Sequence, residues 1–357
     1  MIPVYKERED GKCGKRGNEM KRMKRGAIWI FLGCLFLMGI PLMISGVLYE
    51  QQYGGRNETP TNLKYDLSLF PHLERTPVSF KSNEGQLLAG YVYTHRMDET
   101  PRGVIIVSSG IETGHNAYLP EINYMIENGF TVFAYDGTGN DESEGKSTGG
   151  YLQAVVDLDY AIHLIKDDEQ FEGLPIMLYG HGSGGYAVVS VLNNHRDITA
   201  VVERSGFSTS IDELTNRVGI LKPYFKMYEY LKYGKYAEAD NLNVLMETNS
   251  YVLLLHSEDD PVIQYGQSFF KYESLLTANP RLIFKRYQNR GHEIVLNGQL
   301  VQTLQAQIEE YPSLVHLPQS VKRMYQQVVY EAKKQLDPVI MQQIIDFYNK
   351  YMHTEYE

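Results

Sequence analysis

The chain has 357 residues, with Lys+Arg 34 against Asp+Glu 44, a formal net charge of −10, 43% hydrophobic residues and 22% charged ones. That composition excludes a disordered, collagen-like or low-complexity chain. The acidic balance argues against a nucleic-acid partner, which needs a basic face, and two cysteines, Cys13 and Cys34, cannot build a disulfide framework.

The charge is unevenly spread. Residues 1–26 hold nine Lys or Arg against four acids, a net of +5, so the remainder carries −15. Next comes Ala27 to Tyr49, 23 residues without a charge. As a helix this run would be roughly 35 Å long, enough for a hydrocarbon core of about 30 Å. The basic flank KRMKR (Lys21–Arg25) predicts a cytoplasmic tail over 1–26, a transmembrane anchor over 27–49 and an extracytoplasmic remainder. A cleaved signal peptide is the closest alternative, though its apolar region is normally shorter and no small-x-small site precedes Tyr49. A lipid anchor on Cys34 and a buried core helix are weaker ones. Glu50 to Arg75 is polar and irregular, with Gly54-Gly55 and Pro60, and reads as a stalk. Its Asn57-Glu58-Thr59 fits the glycosylation sequon, a short match that chance supplies often.

From Thr76 the pattern predicts alternating strands and helices. Val78–Phe80 and Leu87–Tyr93 read as a hairpin around Asn83-Glu84-Gly85. Val104–Ser108, Thr131–Tyr135, Pro175–Tyr179, Thr199–Arg204, Tyr251–His256 and Arg281–Tyr287 read as buried strands. Pro120–Glu127, Tyr151–Lys166, Gly185–Asn193 and Asp337–Tyr351 read as helices. Continuous apolar strands separated by helices mean a mostly parallel central sheet covered by helices on both faces. Two stretches interrupt the alternation: a helical, Tyr-rich insertion near 208–248 and a second near 300–336. Insertions at the carboxyl ends of strands are where lids sit, so the domain is expected over 76–352 with a helical lid.

The most specific segment is Leu178-Tyr179-Gly180-His181-Gly182-Ser183-Gly184-Gly185, a strand running into a helix. It has the context of a nucleophile elbow, G-x-S-x-G, a strained positive-φ turn between small residues. Here the chain resembles the α/β-hydrolase superfamily, close to bacterial anchored or secreted hydrolases of the serine aminopeptidase S33 group, over about residues 76–296. Four further segments carry the resemblance. Val107-Ser108-Ser109-Gly110-Ile111 sits at the family's oxyanion loop. Tyr135-Asp136-Gly137-Thr138-Gly139-Asn140-Asp141-Glu142-Ser143 is similar to its D-x-R-G-x-G-x-S loop, with Thr138 and Asp141 departing. Asp260 in His256–Ile263 and His292 in Gly291-His292-Glu293 match its triad acid and histidine, in the required chain order.

The resemblance implies an α/β-hydrolase fold and acyl transfer from a carboxylic ester, less readily a peptide or amide, to water. Asp260 and His292 would be its dyad, and Ile111 together with the residue after the nucleophile its oxyanion donors. It implies a small-molecule acyl substrate, membrane contact through the N-terminal helix, no nucleic acid and no cofactor. Neither a Cys/His cluster nor H-E-x-x-H points to a metal.

The elbow itself departs from the pattern. With Gly180 and Gly184 as the flanking glycines, the nucleophile position is Gly182, which supplies none. Ser183 would then open the helix and lend its backbone N–H to the oxyanion hole. In the alternative frame Ser183 is a displaced nucleophile, with His181 before it and Gly185 after it. The first frame allows a catalytically inactive pseudohydrolase that binds a ligand or partner. His181 reads as packing beside the elbow and Asp136 as a loop-stapling carboxylate. The lid tyrosines (Tyr224, Tyr228, Tyr230, Tyr233, Tyr236) read as amphipathic packing or as the lining of an apolar pocket.

Overall fold

The apolar runs of the sequence become the strands of one sheet. The computed structural model describes residues 35–97, 100–215, 219–298 and 334–353, together with 23–29 and the single positions 33, 320 and 323. The strands are β1 (Leu73–Lys81), β2 (Leu87–His95), β3 (Val104–Ser108), β4 (Thr131–Tyr135), β5 (Ile176–His181), β6 (Ala200–Arg204), β7 (Tyr251–Ser257) and β8 (Leu282–Tyr287). They lie in the order β1-β2-β4-β3-β5-β6-β7-β8. Only the β1–β2 and β2–β4 pairs are antiparallel.

The continuous apolar runs follow from two-sided burial. Val104 and Ile106 of β3, Leu178 of β5 and Val201 of β6 face one core layer. Their neighbours Ile105, Val107, Tyr179 and Val202 face the other. Successive side chains alternate between faces, and both faces are covered, so no position can be polar without a partner. The second layer is closed by α2 (Leu119–Glu127) and the C-terminal helix α9 (Pro338–Tyr351). The first is closed by α3 (Tyr151–Asp167), the elbow helix α4 (Ser183–Ser190) and α8 (Phe269–Leu276).

The insertion after β6 is helical, with α5 (Ser210–Thr215), α6 (Lys222–Tyr233) and α7 (Asn241–Glu247). The excursion expected near 300–336 lies outside the described residues except for 320, 323 and its last three positions. The basic tail over 1–26 is likewise outside them apart from 23–26.

The N-terminal run is described in part, over 23–29, at 33 and from 35 onward. Among the described residues, no helix is long and apolar enough to cross a membrane. The run assigned to an anchor ending at Tyr49 passes through one π-helical stretch, Leu35–Gly39, into α1 (Ile40–Tyr53), with Pro41 in its first turn. The far end of α1 belongs to the domain: Ser45, Gly46, Tyr49 and Tyr53 are buried. The tyrosines enter the main core, and the Tyr49 hydroxyl donates to the Gly149 carbonyl (2.8 Å). Gly46 lets α6 approach, since a Cβ there would lie 2.8 Å from the Tyr228 ring. An uncharged run looks the same whether lipid or protein covers it, so the sequence could not place this boundary.

The stalk over 50–75 is also packed on the domain. Asn57 N–H donates to the Gly139 carbonyl (2.9 Å), the Thr59 hydroxyl to Asp141 (2.6 Å), and Tyr65 is buried. Asp141, a departure from the family's loop, is thus the partner of this segment; Lys64 pairs with it at 2.7 Å. Segment 50–69 is polar because it satisfies loop carboxylates and carbonyls at the domain surface.

Candidate active site

The elbow is fixed by what its backbone can tolerate. A Cβ on Gly180 would lie 2.2 Å from the Gly184 carbonyl oxygen, and one on Gly184 2.0 Å from that of Ser108. Both positions therefore exclude any side chain, and they stand two residues either side of Gly182. Gly182 has φ 57 and ψ −117, while Ser183 is already helical. The turn that presents a side chain above the sheet is at 182, and glycine adopts it without cost.

Asp260 and His292 come together at this turn. His292 Nδ1 donates to Asp260 Oδ2 (2.9 Å), which leaves Nε2 bare. Nε2 lies 3.3 Å from where a Cβ on Gly182 would stand. Asp260 sits at the end of β7, its other oxygen accepting from the backbone N–H of Val262 (2.8 Å) and Ile263 (3.0 Å). Burial raises its carboxyl, but His292, His256 and the Ile263 amide outweigh that and hold it below the ordinary carboxylate range.

The oxyanion position is occupied from within. The Ile111 N–H donates to the Ser183 hydroxyl at 2.7 Å. The side chain of Ser183 thus lies on one of the two expected oxyanion donors. A small cavity beside that loop is lined by Ser109, Gly110, Ile111, Tyr135, Thr148 and Gly150, among others.

Several residues that support the dyad were not legible. His181 packs against His292 with tilted rings whose centroids are 4.5 Å apart, and its Nε2 donates to the His292 carbonyl (3.3 Å). The Tyr118 hydroxyl donates to His181 Nδ1 (3.3 Å) and accepts from Gly110 N–H (3.1 Å), tying the imidazole pair to the oxyanion loop. Ser205, a non-glycine at φ 51, donates its hydroxyl to the same His292 carbonyl (3.0 Å). Asp259, next to the acid, accepts from the N–H groups of Arg290 and Gly291 (both 3.2 Å) and shapes the histidine turn. The only local signal was His181 itself; the others depend on contacts across 30 to 110 positions of sequence. Asp136 accepts from the His115 N–H (2.9 Å) and pairs with its ring (2.7 Å), stapling the loop to α2's approach.

Four of the five lid tyrosines bond away from the dyad, and Tyr230 is exposed. Tyr224 donates to the Leu37 carbonyl, Tyr228 to Glu50, Tyr233 to the Gly149 carbonyl and Tyr236 to Asp159. They fasten the insertion to α1 and α3 and do not line the dyad. Among the described residues, one group could offer metal donors: Asp159, His163 and His195, within 4.8 Å of one another. Its donors are already engaged, Asp159 by His195 (2.9 Å), Asn194 (3.1 Å) and Tyr236 (2.9 Å), and His163 by its own helix carbonyl (2.7 Å). The cluster reads as a staple between α3, the loop after α4 and the lid.

Comparison with known proteins agrees with this architecture. The serine aminopeptidase S33 family matches residues 99–218. No curated protein matches the sequence. Among solved structures, an esterase of Pyrococcus furiosus is similar over 84% of this chain and 99% of its own, at 15% identity and TM-score 0.56. An acylaminoacyl peptidase of Pyrococcus horikoshii is similar over 82% of this chain and 44% of its own (16% identity, TM-score 0.51). A puromycin-hydrolysing peptidase of Mycobacterium tuberculosis covers 79% and 40% (14%, 0.52). At these identities the likeness is one of fold.

Proposed function

Because the chain has an α/β-hydrolase fold and matches the serine aminopeptidase S33 family over residues 99–218, yet has a glycine at the nucleophile turn, we propose that it binds an acyl compound against a His–Asp dyad without forming an acyl-enzyme. The carrying observation is Gly182 at φ 57, with His292 Nε2 3.3 Å from its would-be Cβ. The base is aimed at the place of a hydroxyl that the chain does not have. Ser183 does not replace it, since its hydroxyl accepts from Ile111 N–H (2.7 Å). An ester is the favoured ligand, a peptide or amide the next; the esterase and peptidases among the structural neighbours support that class. Such a site keeps the His292–Asp260 dyad and loses covalent turnover.

A second reading keeps hydrolysis. The intact His292–Asp260 hydrogen bond of 2.9 Å favours it, because a water beside Nε2 could be activated by general-base catalysis alone. The bare Nε2 takes the water proton, and Asp260 stabilises the cation that forms.

We place the protein at the outer face of a cell membrane, on the strength of the uncharged run Ala27–Tyr49 behind the basic flank Lys21–Arg25. Protease added to intact cells should then remove the globular part; protection until lysis would reverse the orientation.

The site reading is tested with a fluorophosphonate probe, peptide mapping and an activated short-chain ester. The expected parent protein takes no label and Ser183→Ala leaves any residual hydrolysis unchanged. Label on Ser183, with activity lost in Ser183→Ala, would overturn the nucleophile-less site. Residual hydrolysis lost in His292→Ala but kept in Ser183→Ala would select the water mechanism.

A further inference from the structure

The surface of the molecule is not evenly polar. Of the 24 large hydrophobic side chains exposed among the described residues, 11 lie between Met23 and Val47 and four more, Ile220, Met227, Tyr230 and Leu231, on or beside α6. These two sets are neighbours in space. Tyr224, Tyr228 and Lys232 of α6, spaced four residues apart on one face, bond to the Leu37 carbonyl (2.7 Å) and to Glu50 (2.9 and 2.7 Å). Between the helices runs an apolar groove of about 840 Å³, lined by Leu42, Met43, Val47, Tyr228 and Leu231 among others.

α6 has three faces, and only two are used. Phe225, Glu229 and Tyr233 point into the domain, and the Tyr224–Tyr228–Lys232 face meets α1. The third carries exposed Met227, Tyr230 and Leu231, with the exposed cations Lys226 and Lys235 nearby. A surface helix ordinarily turns a polar face to water. A helix showing apolar and aromatic side chains among lysines suits the headgroup layer of an anionic bilayer. The charge of the chain picks the same occupant: residues beyond 26 sum to −15, yet Lys226 and Lys235 beside this face are both cations. A two-fold second copy would set the same lysines against one another.

We propose that α6 is a bilayer-contact element which, with the apolar side of α1, seats the domain lid-down on an anionic membrane surface. This goes beyond the anchor reading, under which the domain could stand clear of the lipid. The contact also has a short route to the site. Tyr49 of α1 and Tyr233 of α6 both donate to the Gly149 carbonyl, and the adjoining Gly150 borders the cavity at the oxyanion loop.

The test uses the full chain with Cys13→Ser and Cys34→Ala, incorporated into phosphatidylcholine/phosphatidylglycerol vesicles. Leu231→Cys carries an environment-sensitive dye, and Lys285→Cys, exposed on the edge strand β8, serves as the reference. Doxyl-labelled lipid should quench the dye at 231 several-fold more than the dye at 285, with iodide doing the reverse. Lys226→Glu with Lys235→Glu should narrow that difference, as should vesicles without phosphatidylglycerol. Equal iodide quenching at both positions in vesicle-bound protein would overturn the proposal while leaving the anchor in place. Loss of vesicle association altogether would overturn both. Protection at 231 without vesicles, together with a doubled sedimenting mass, would assign the face to a second copy and overturn the lipid assignment.

Discussion

Gly182→Ser is the substitution on which the reading of the site turns. The new Cβ would stand 3.3 Å from His292 Nε2, a tight contact that a small movement of the partly exposed imidazole relieves. A hydroxyl extending from that Cβ comes within hydrogen-bond reach of the bare Nε2. The backbone at φ 57 and ψ −117 suits glycine and strains serine, so stability should fall by about 1–3 kcal/mol. The gain in chemistry should be larger. A complete triad acts as a unit worth about 10⁶-fold in kcat, and without it binding and the oxyanion hole still give about 10³–10⁴ over water. The full gain is not expected from the single variant, because the Ser183 hydroxyl still lies on the Ile111 N–H at 2.7 Å. Losing one oxyanion donor costs about 10²–10³ in kcat. Gly182→Ser should therefore raise p-nitrophenyl butyrate hydrolysis by roughly 10³-fold over the parent, and adding Ser183→Ala should raise it by roughly a further 10². Steady-state kinetics, fluorophosphonate labelling mapped to the introduced hydroxyl, and thermal melts on the three proteins measure each part. Folded variants with neither label nor activity would refute the placement of Gly182 opposite the dyad. Activity already high in the parent and lost on Ser183→Ala would refute the frame itself.

Three further outcomes follow from the same coordinates. Asp260→Asn in the Gly182→Ser background should cost about 10⁴-fold in kcat, since the imidazole loses its tautomer and its counter-charge; pH–rate profiles of the two proteins measure it. Glu203 on β6 is wholly buried, and that burial pushes its carboxyl up to about 8, against a smaller opposing effect of the Gly206 amide. The folded state then holds a proton that the unfolded state releases, so stability falls as pH rises from the ordinary carboxylate range to about 8, by up to about 1.4 kcal/mol per pH unit. Glu203→Gln should remove that slope in urea melts at pH 5 to 9, and an unchanged slope would show that the group ionises freely. Removing residues 1–38 should leave the melting temperature nearly unchanged, whereas a cut after residue 53 takes away buried Tyr49 and Tyr53. Each lost buried aromatic costs about 3–5 kcal/mol, so equal melting of the two truncations would show that α1 is not part of the core.

The sequence alone determined the sheet, its helical cover and the order of the site residues. Buried parallel strands must be apolar at every position, and β3, β4, β5 and β7 are legible within a residue or two for that reason. The elbow was legible because Gly180 and Gly184 leave no room for a Cβ, a constraint written directly as residue type. The acid and histidine were legible from their places after strands. Tertiary structure decided the rest. An uncharged helix carries no mark of whether lipid or protein covers it, so only the packing of Tyr49 and Tyr53 showed that α1 enters the domain. Polar side chains at 57–65 gave a stalk until their partners Gly139 and Asp141, about 80 positions away, came beside them. The choice between Gly182 and Ser183 rested in sequence on spacing alone; a backbone torsion and the direction of one hydroxyl settle which residue stands at the turn. Local pattern encodes which face a residue shows, whereas the partner it meets there depends on chain brought back from far away.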